Sequence, residues 1–152
     1  MKPLIHFAHA NGVPSKVYQK LFDLLKDDYD IIYVPLLGPD KRYPIDNHWQ
    51  SLTNQVIDSI VRQAQGRPVI GLGHSLGAVL TFQAALKRPE LFSQVIMLDP
   101  PMIMGKEAVA LHVAKLFKLK ALDKMSPAGL SKRRRDHWQS REQAAELLRP
   151  KG

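Results

Sequence analysis

The apolar positions of this chain fall into two alternating textures. Short runs of neighbouring apolar, often β-branched residues recur at Leu4-Ile5-His6-Phe7-Ala8 and at residues 31–34, 68–72 and 94–98. Between them lie longer stretches in which apolar side chains return every three or four residues. Runs of the first kind predict buried strands, and stretches of the second kind predict amphipathic helices. A helix is predicted over 15–27, with Val17, Leu21, Leu24 and Leu25 on its buried face and Pro14 suited to its first turn. A second helix, capped by Asp46 or Asn47, carries Trp49, Leu52, Val56 and Ile60 on one face and stops at Gly66. A third covers 75–87 and is halted by Pro89. Residues 36–44, rich in Gly and Pro, read as a loop.

Strands that alternate with helices specify a mostly parallel sheet of about four strands, flanked by helices on both faces. Right-handed crossovers then bring the C-terminal ends of all four strands to one edge. His9, Asn11, Ser75 and Asp99 all fall at or just past such ends. In open α/β sheets that edge is where ligands bind. The character changes after Pro101. Residues 105–119 read as helical, with Val109, Val113, Leu116 and His112 on one face, and 123–130 form a break. Ser140 and Gln143 make a capping box for a last helix that runs through Leu148. No fifth strand is evident.

Within this pattern one pentapeptide carries chemistry. Gly73-His74-Ser75-Leu76-Gly77 stands directly between the third strand and its helix. A serine at the apex of so tight a turn has an exposed hydroxyl and the first amides of a helix beside it. Side chains at positions 73 and 77 would crowd the turn, which accounts for the glycines. His9-Ala10-Asn11-Gly12, after the first strand, is placed to lend a second backbone donor, so the amides of Leu76 and Asn11 are the expected oxyanion pair.

The chain resembles the first half of an α/β-hydrolase fold protein of the serine hydrolase or esterase kind. Gly73-His74-Ser75-Leu76-Gly77-Ala78 matches the nucleophile elbow of that family. His9-Ala10-Asn11-Gly12 resembles its His-Gly-x oxyanion motif, with Ala10 where Gly is commoner. Residues 87–101 are similar to its link from the elbow helix to the next strand. The resemblance implies a partial hydrolase core over 1–100 and the start of a helical cap or lid over 101–152. It implies Ser75 as nucleophile and a small-molecule acyl substrate: an ester, thioester, lactone or related compound. His9, His74 and Asp99 are implied as pocket residues, with His9 also ordering the oxyanion loop. Met102, Ile103 and Met104 are candidates to line an apolar pocket, or simply core.

Serine needs a base. In this fold the acid and the histidine follow the serine in the chain, yet the 77 residues after Ser75 offer no convincing further strand. The expectation is a truncated hydrolase that lacks both. A self-contained triad of Ser75, Asp99 and His137 has the right order, but His137 lies in the charged segment 132–138 instead of on a loop after a core strand. The competing function is a non-catalytic acyl-compound binding protein, or an inactive fragment, on the same scaffold.

Composition adds bounds. At 152 residues, 45% hydrophobic and 24% charged, the chain is ordinary for a globular protein. It has no cysteine, which suits a reducing, cytoplasmic setting and leaves disulfide and thiol chemistry out. Its histidines and carboxylates form no H-E-x-x-H pattern, and His6 and His9 point to opposite faces of a strand, so neither a metal nor a cofactor is expected. No apolar stretch reaches the roughly 18 residues that a membrane span requires. The net charge of +8 lies almost wholly in 101–152, with 12 basic and 5 acidic residues against 10 and 9 in 1–100. The run Lys132-Arg133-Arg134-Arg135 has Trp138 alone as an aromatic neighbour and no nucleic-acid motif, so a solvated helical face is expected and no nucleic-acid partner. An exposed sheet edge invites self-association.

Overall fold

The computed structural model describes residues 1–101 and 139–148. The chain divides at Met102 into two units. Sequence readings at Met102, Ile103, Met104, His112, 105–119, 123–130 and 132–138, His137 included, lie outside the described residues.

In the first unit β1 (Leu4–Ala8), β2 (Asp30–Tyr33), β3 (Val69–His74) and β4 (Phe92–Leu98) form one parallel sheet in the order β2-β1-β3-β4. Its register pairs Phe7 with Tyr33 and with Leu72, and Ala8 with Gly73. Alternation along β1 sorts the two cores. Leu4 and Ala8 face α2 (Gln50–Ala64) and α3 (Leu76–Lys87) in a cluster with Leu52, Val56, Ile60, Leu80 and Ala84. Ile5 and Phe7 face α1 (Gln19–Leu25) and pack with Phe22 and Leu72. The expected four-strand sheet with helices on both faces is therefore what forms.

Two helix faces differ from the pattern. Val17 and Leu24, expected to be buried, are 67% and 72% exposed. The stripe against the sheet is Tyr18, Leu21, Phe22 and Leu25. The reason is local: Ser15–Tyr18 is a 3-10 turn that precedes α1, and its three residues per turn shift the phase of the helix after it. Ser15 is held there by its buried hydroxyl, which donates to the Val34 carbonyl at 2.5 Å. Trp49 also leaves its expected face. Both His48 and Trp49 adopt positive φ (65° and 56°), so α2 starts only at Gln50. The N-cap position of α2 therefore falls on Trp49 and not on the expected Asp46 or Asn47, although the Asp46 carboxylate still reaches the first turn and accepts the Ser51 amide at 2.8 Å. α2 ends in left-handed Gln65 and Gly66.

The outer strand β4 is thinly covered. Ile96 and Leu98 remain 37% and 40% exposed, and with Ile70, Leu72, Leu21 and Leu25 they border an apolar hollow of about 390 Å³. In the second unit, α4 (Arg141–Leu148) is described. Its start forms half of the expected capping box: Ser140 Oγ accepts the Gln143 amide at 3.2 Å, while Gln143 Oε1 accepts the amide of the preceding Gln139 at 3.0 Å in place of that of Ser140. No helix among the described residues is long and apolar enough to cross a membrane.

Candidate active site

Ser75 sits where β3 has ended and α3 has not begun. Its backbone is at φ 53° and ψ −117°, a region that costs a non-glycine residue on the order of 1–3 kcal/mol. The surroundings hold it there. The Ser75 amide donates to the Leu98 carbonyl at the end of β4 (2.9 Å), and its own carbonyl accepts the Ala78 amide at 3.1 Å. The flanking glycines are steric necessities. A Cβ on Gly73 would strike the backbone of Gly77 and Ala78, and one on Gly77 would strike the carbonyls of Ala8 and His9. The second contact also shows that the first turn of α3 lies directly against the end of β1, where the 9–12 loop begins.

That loop is pinned peptide by peptide. The Ala10 carbonyl accepts two bonds, from the Val13 amide (3.0 Å) and from His9 Nδ1 (2.7 Å). Ala10 carbonyl and Asn11 amide belong to one peptide unit, and that unit is trans, so fixing the carbonyl aims the Asn11 N–H the opposite way. Gly12, at φ 71°, completes the turn. Neither the Asn11 nor the Leu76 amide has an acceptor among the described residues. The first belongs to an exposed loop and the second to the first residue of α3, where helical amides lack internal partners.

His9 itself is fully buried. Its Nε2 accepts the Leu37 amide at 2.8 Å while Nδ1–H donates to Ala10, so both nitrogens are committed and the tautomer is fixed. Burial, partly opposed by the bond to Ala10, lowers its pKa from the ordinary histidine value. The ring ties the 9–12 loop to the loop after β2. His74 is half-buried beside Ser75, with Nδ1 at 2.7 Å from the Tyr18 hydroxyl. Asp99 lies one residue past β4, exposed and at φ 45°. No histidine or carboxylate among the described residues hydrogen-bonds the Ser75 hydroxyl, and no three His, Asp or Glu side chains among them converge as metal ligands.

Two groups escaped the sequence reading. Tyr18 joins His74 to the Ala10 amide, which donates to its hydroxyl at 3.3 Å. The available signal was an aromatic with a polar tip just after the first motif. His6, inside the first strand, meets Ser59 Oγ through Nε2 at 3.0 Å, but its Nδ1 has no partner. Burial drives its pKa down to about 3.

A parallel sheet that ends in a strained serine between two close-packed glycines, with a pinned loop beside it, defines an α/β-hydrolase core. The family model for the thioesterase domain matches residues 2–101, and the chain belongs to that family. An uncharacterized hydrolase, YugF, of Bacillus subtilis (strain 168) is 36% identical over 84 residues, covering 53% of this chain and 30% of that protein. A type I acyl-CoA thioesterase, mpaH, of Penicillium brevicompactum is 23% identical over 151 residues, covering 90% of this chain and 33% of that protein. Among solved structures, the thioesterase domain from the curacin biosynthetic pathway superposes with a TM-score of 0.56 at 21% identity, over 79% of this chain and 46% of that one. The chain thus spans about a third of the length of those curated relatives.

Proposed function

We propose that this chain carries the nucleophile and oxyanion half of a serine hydrolase that cleaves an acyl ester or thioester. Ser75 attacks the acyl carbonyl and forms an acyl-enzyme. The amides of Leu76 and Asn11 receive the oxyanion, and water then releases the acid. Loss of one such donor typically removes about 3–4 kcal/mol of transition-state stabilisation. The observation that carries the reading is the pairing of a strained Ser75 with two amides that have no acceptor among the described residues. His9 serves as the residue that orders the oxyanion loop. The base that takes the Ser75 proton comes from outside residues 1–101 and 139–148. Asp99, beside the elbow strand, is a candidate acid or pocket group, and His74 a candidate pocket group. Nucleophile, donors and base suffice for the reaction without a cofactor.

The thioesterase family match and the named thioesterase relative favour a thioester over a simple ester. The lack of cysteine suits a cytoplasmic setting, and the outer edge of β4, unpaired among the described residues, suits self-association. One observation favours a second reading, an acyl-compound binder without turnover: no described base reaches Ser75. A fluorophosphonate probe separates the two. Labelling of Ser75, located by mass spectrometry and absent in Ser75→Ala, together with release of thiol from acyl-CoA, supports the hydrolase. Binding of an acyl compound with no labelling supports the second.

A further inference from the structure

We propose that Tyr18 is the positioning residue of this site. Its single hydroxyl holds the oxyanion loop against the elbow and commits His74 to the tautomer that carries its proton on Nε2. The structural part rests on the contacts alone. Only its catalytic consequence rests on the reading of Ser75 as nucleophile.

Among the described residues the Tyr18 hydroxyl has two hydrogen-bond partners: the Ala10 amide at 3.3 Å and His74 Nδ1 at 2.7 Å. An amide can only donate, so the phenol oxygen accepts from Ala10. The phenol proton then needs an acceptor. The arrangement that satisfies all three groups has Tyr18 O–H donating to a bare His74 Nδ1. The reverse arrangement, with Nδ1–H donating to Tyr18, leaves the phenol proton without a partner among the described residues. A neutral His74 therefore presents Nε2–H as a donor, one residue before Ser75.

Geometry makes the link stiff. The Tyr18 ring lies 4.6 Å from Phe7, centroid to centroid, at 56°, and meets the His74 ring edge-on at 5.8 Å. Tyr18 ends the 3-10 turn whose start is pinned by the buried Ser15 hydroxyl. A rigid side chain thus fixes the distance between the loop that holds Asn11 and the strand end that holds Ser75. Together with His9, which holds the Ala10 carbonyl, it clamps Ala10 from both sides. His9 sets where the Asn11 amide points, and Tyr18 sets how far the loop stands from the serine.

The first test needs no variant: nitrogen-15 NMR of the histidine rings in the full chain. The expected result is His74 as the Nε2–H tautomer; a dominant Nδ1–H tautomer overturns the proposal. The second uses Tyr18→Phe, which keeps the ring and removes the hydroxyl. The expected changes are a shifted Ala10 amide resonance, loss of the His74 tautomer bias, and labelling of Ser75 by a fluorophosphonate slowed by about 10-fold or more. For acyl ester or thioester turnover, kcat falls while KM holds. Unchanged ring and amide resonances with unchanged labelling overturn the role of Tyr18. A wild-type chain that never labels but shows the expected tautomer and amide shifts removes the nucleophile reading and leaves the positioning role of Tyr18 standing.

Discussion

Mild acid should destabilise this chain through His6. The ring is fully buried beneath α2. Its Nε2 meets Ser59 Oγ, but Nδ1 has no partner, so a second ring proton would be stranded in the core. Burial lowers the folded-state pKa from 6.5 to about 3. The sign follows from proton counts: between those values the unfolded chain binds a proton at His6 that the folded chain refuses. Stability is whole above the unfolded value of 6.5 and drains as pH falls towards the folded value. Each pH unit in that window removes about 1.4 kcal/mol, so the fall from about 6.5 to about 5 removes about 2 kcal/mol. His9, displaced in the same direction by burial, adds to the loss. Asp40, held down to about 2 by its hydrogen bond to Arg42, changes its contribution only between 3.8 and about 2, below the pH range measured next. Urea unfolding followed by circular dichroism at about pH 7.5, 6.5, 5.5 and 5 measures the slope. His6→Gln, which cannot ionise, should be less stable at neutral pH but lose about 1.4 kcal/mol per pH unit less than the wild type. A wild-type stability that stays level across that interval, or a variant as acid-sensitive as the wild type, would refute the reasoning.

Three further substitutions probe the site and its support. Gly77→Ala puts a Cβ onto the backbone carbonyls of Ala8 and His9; we expect a loss of about 1–3 kcal/mol by denaturant titration and no fluorophosphonate labelling. Ser75→Gly relieves the positive φ and should raise stability by about 1 kcal/mol in the same titration while abolishing labelling. Ser15→Ala removes the buried bond to the Val34 carbonyl and should lower stability by about 1–3 kcal/mol, read from the unfolding midpoint.

The parallel sheet was legible because its strands are apolar runs too short to be helices, punctuated by Pro and Gly. The elbow was legible because a serine between spaced glycines at a strand end has few other uses. What stayed hidden was phase and partnership. Val17 and Leu24 read as core because a helical period of about 3.6 residues was continued through a turn that winds at about three. Trp49 read as core because nothing local announces two consecutive positive-φ residues. Tyr18 reaches His74 across 56 positions, and His6 meets Ser59 across 53. Such pairs are set by how helices settle on the sheet, and no window of local sequence contains them.

The double clamp on Ala10 bears on engineering. The bend at Ser75 leans on the Leu98 carbonyl and on the close approach of Gly77 to Ala8 and His9; the direction of the Asn11 amide is set through His9, Leu37 and Val13, and the distance of its loop through Tyr18, all drawn from separate parts of the chain. Transplanting GHSLG onto another strand–helix junction would copy the hydroxyl but bring neither these supports nor the proposed second donor, the Asn11 amide. A transferable catalyst would have to include the neighbouring strand, its loop and the turn that seats the tyrosine.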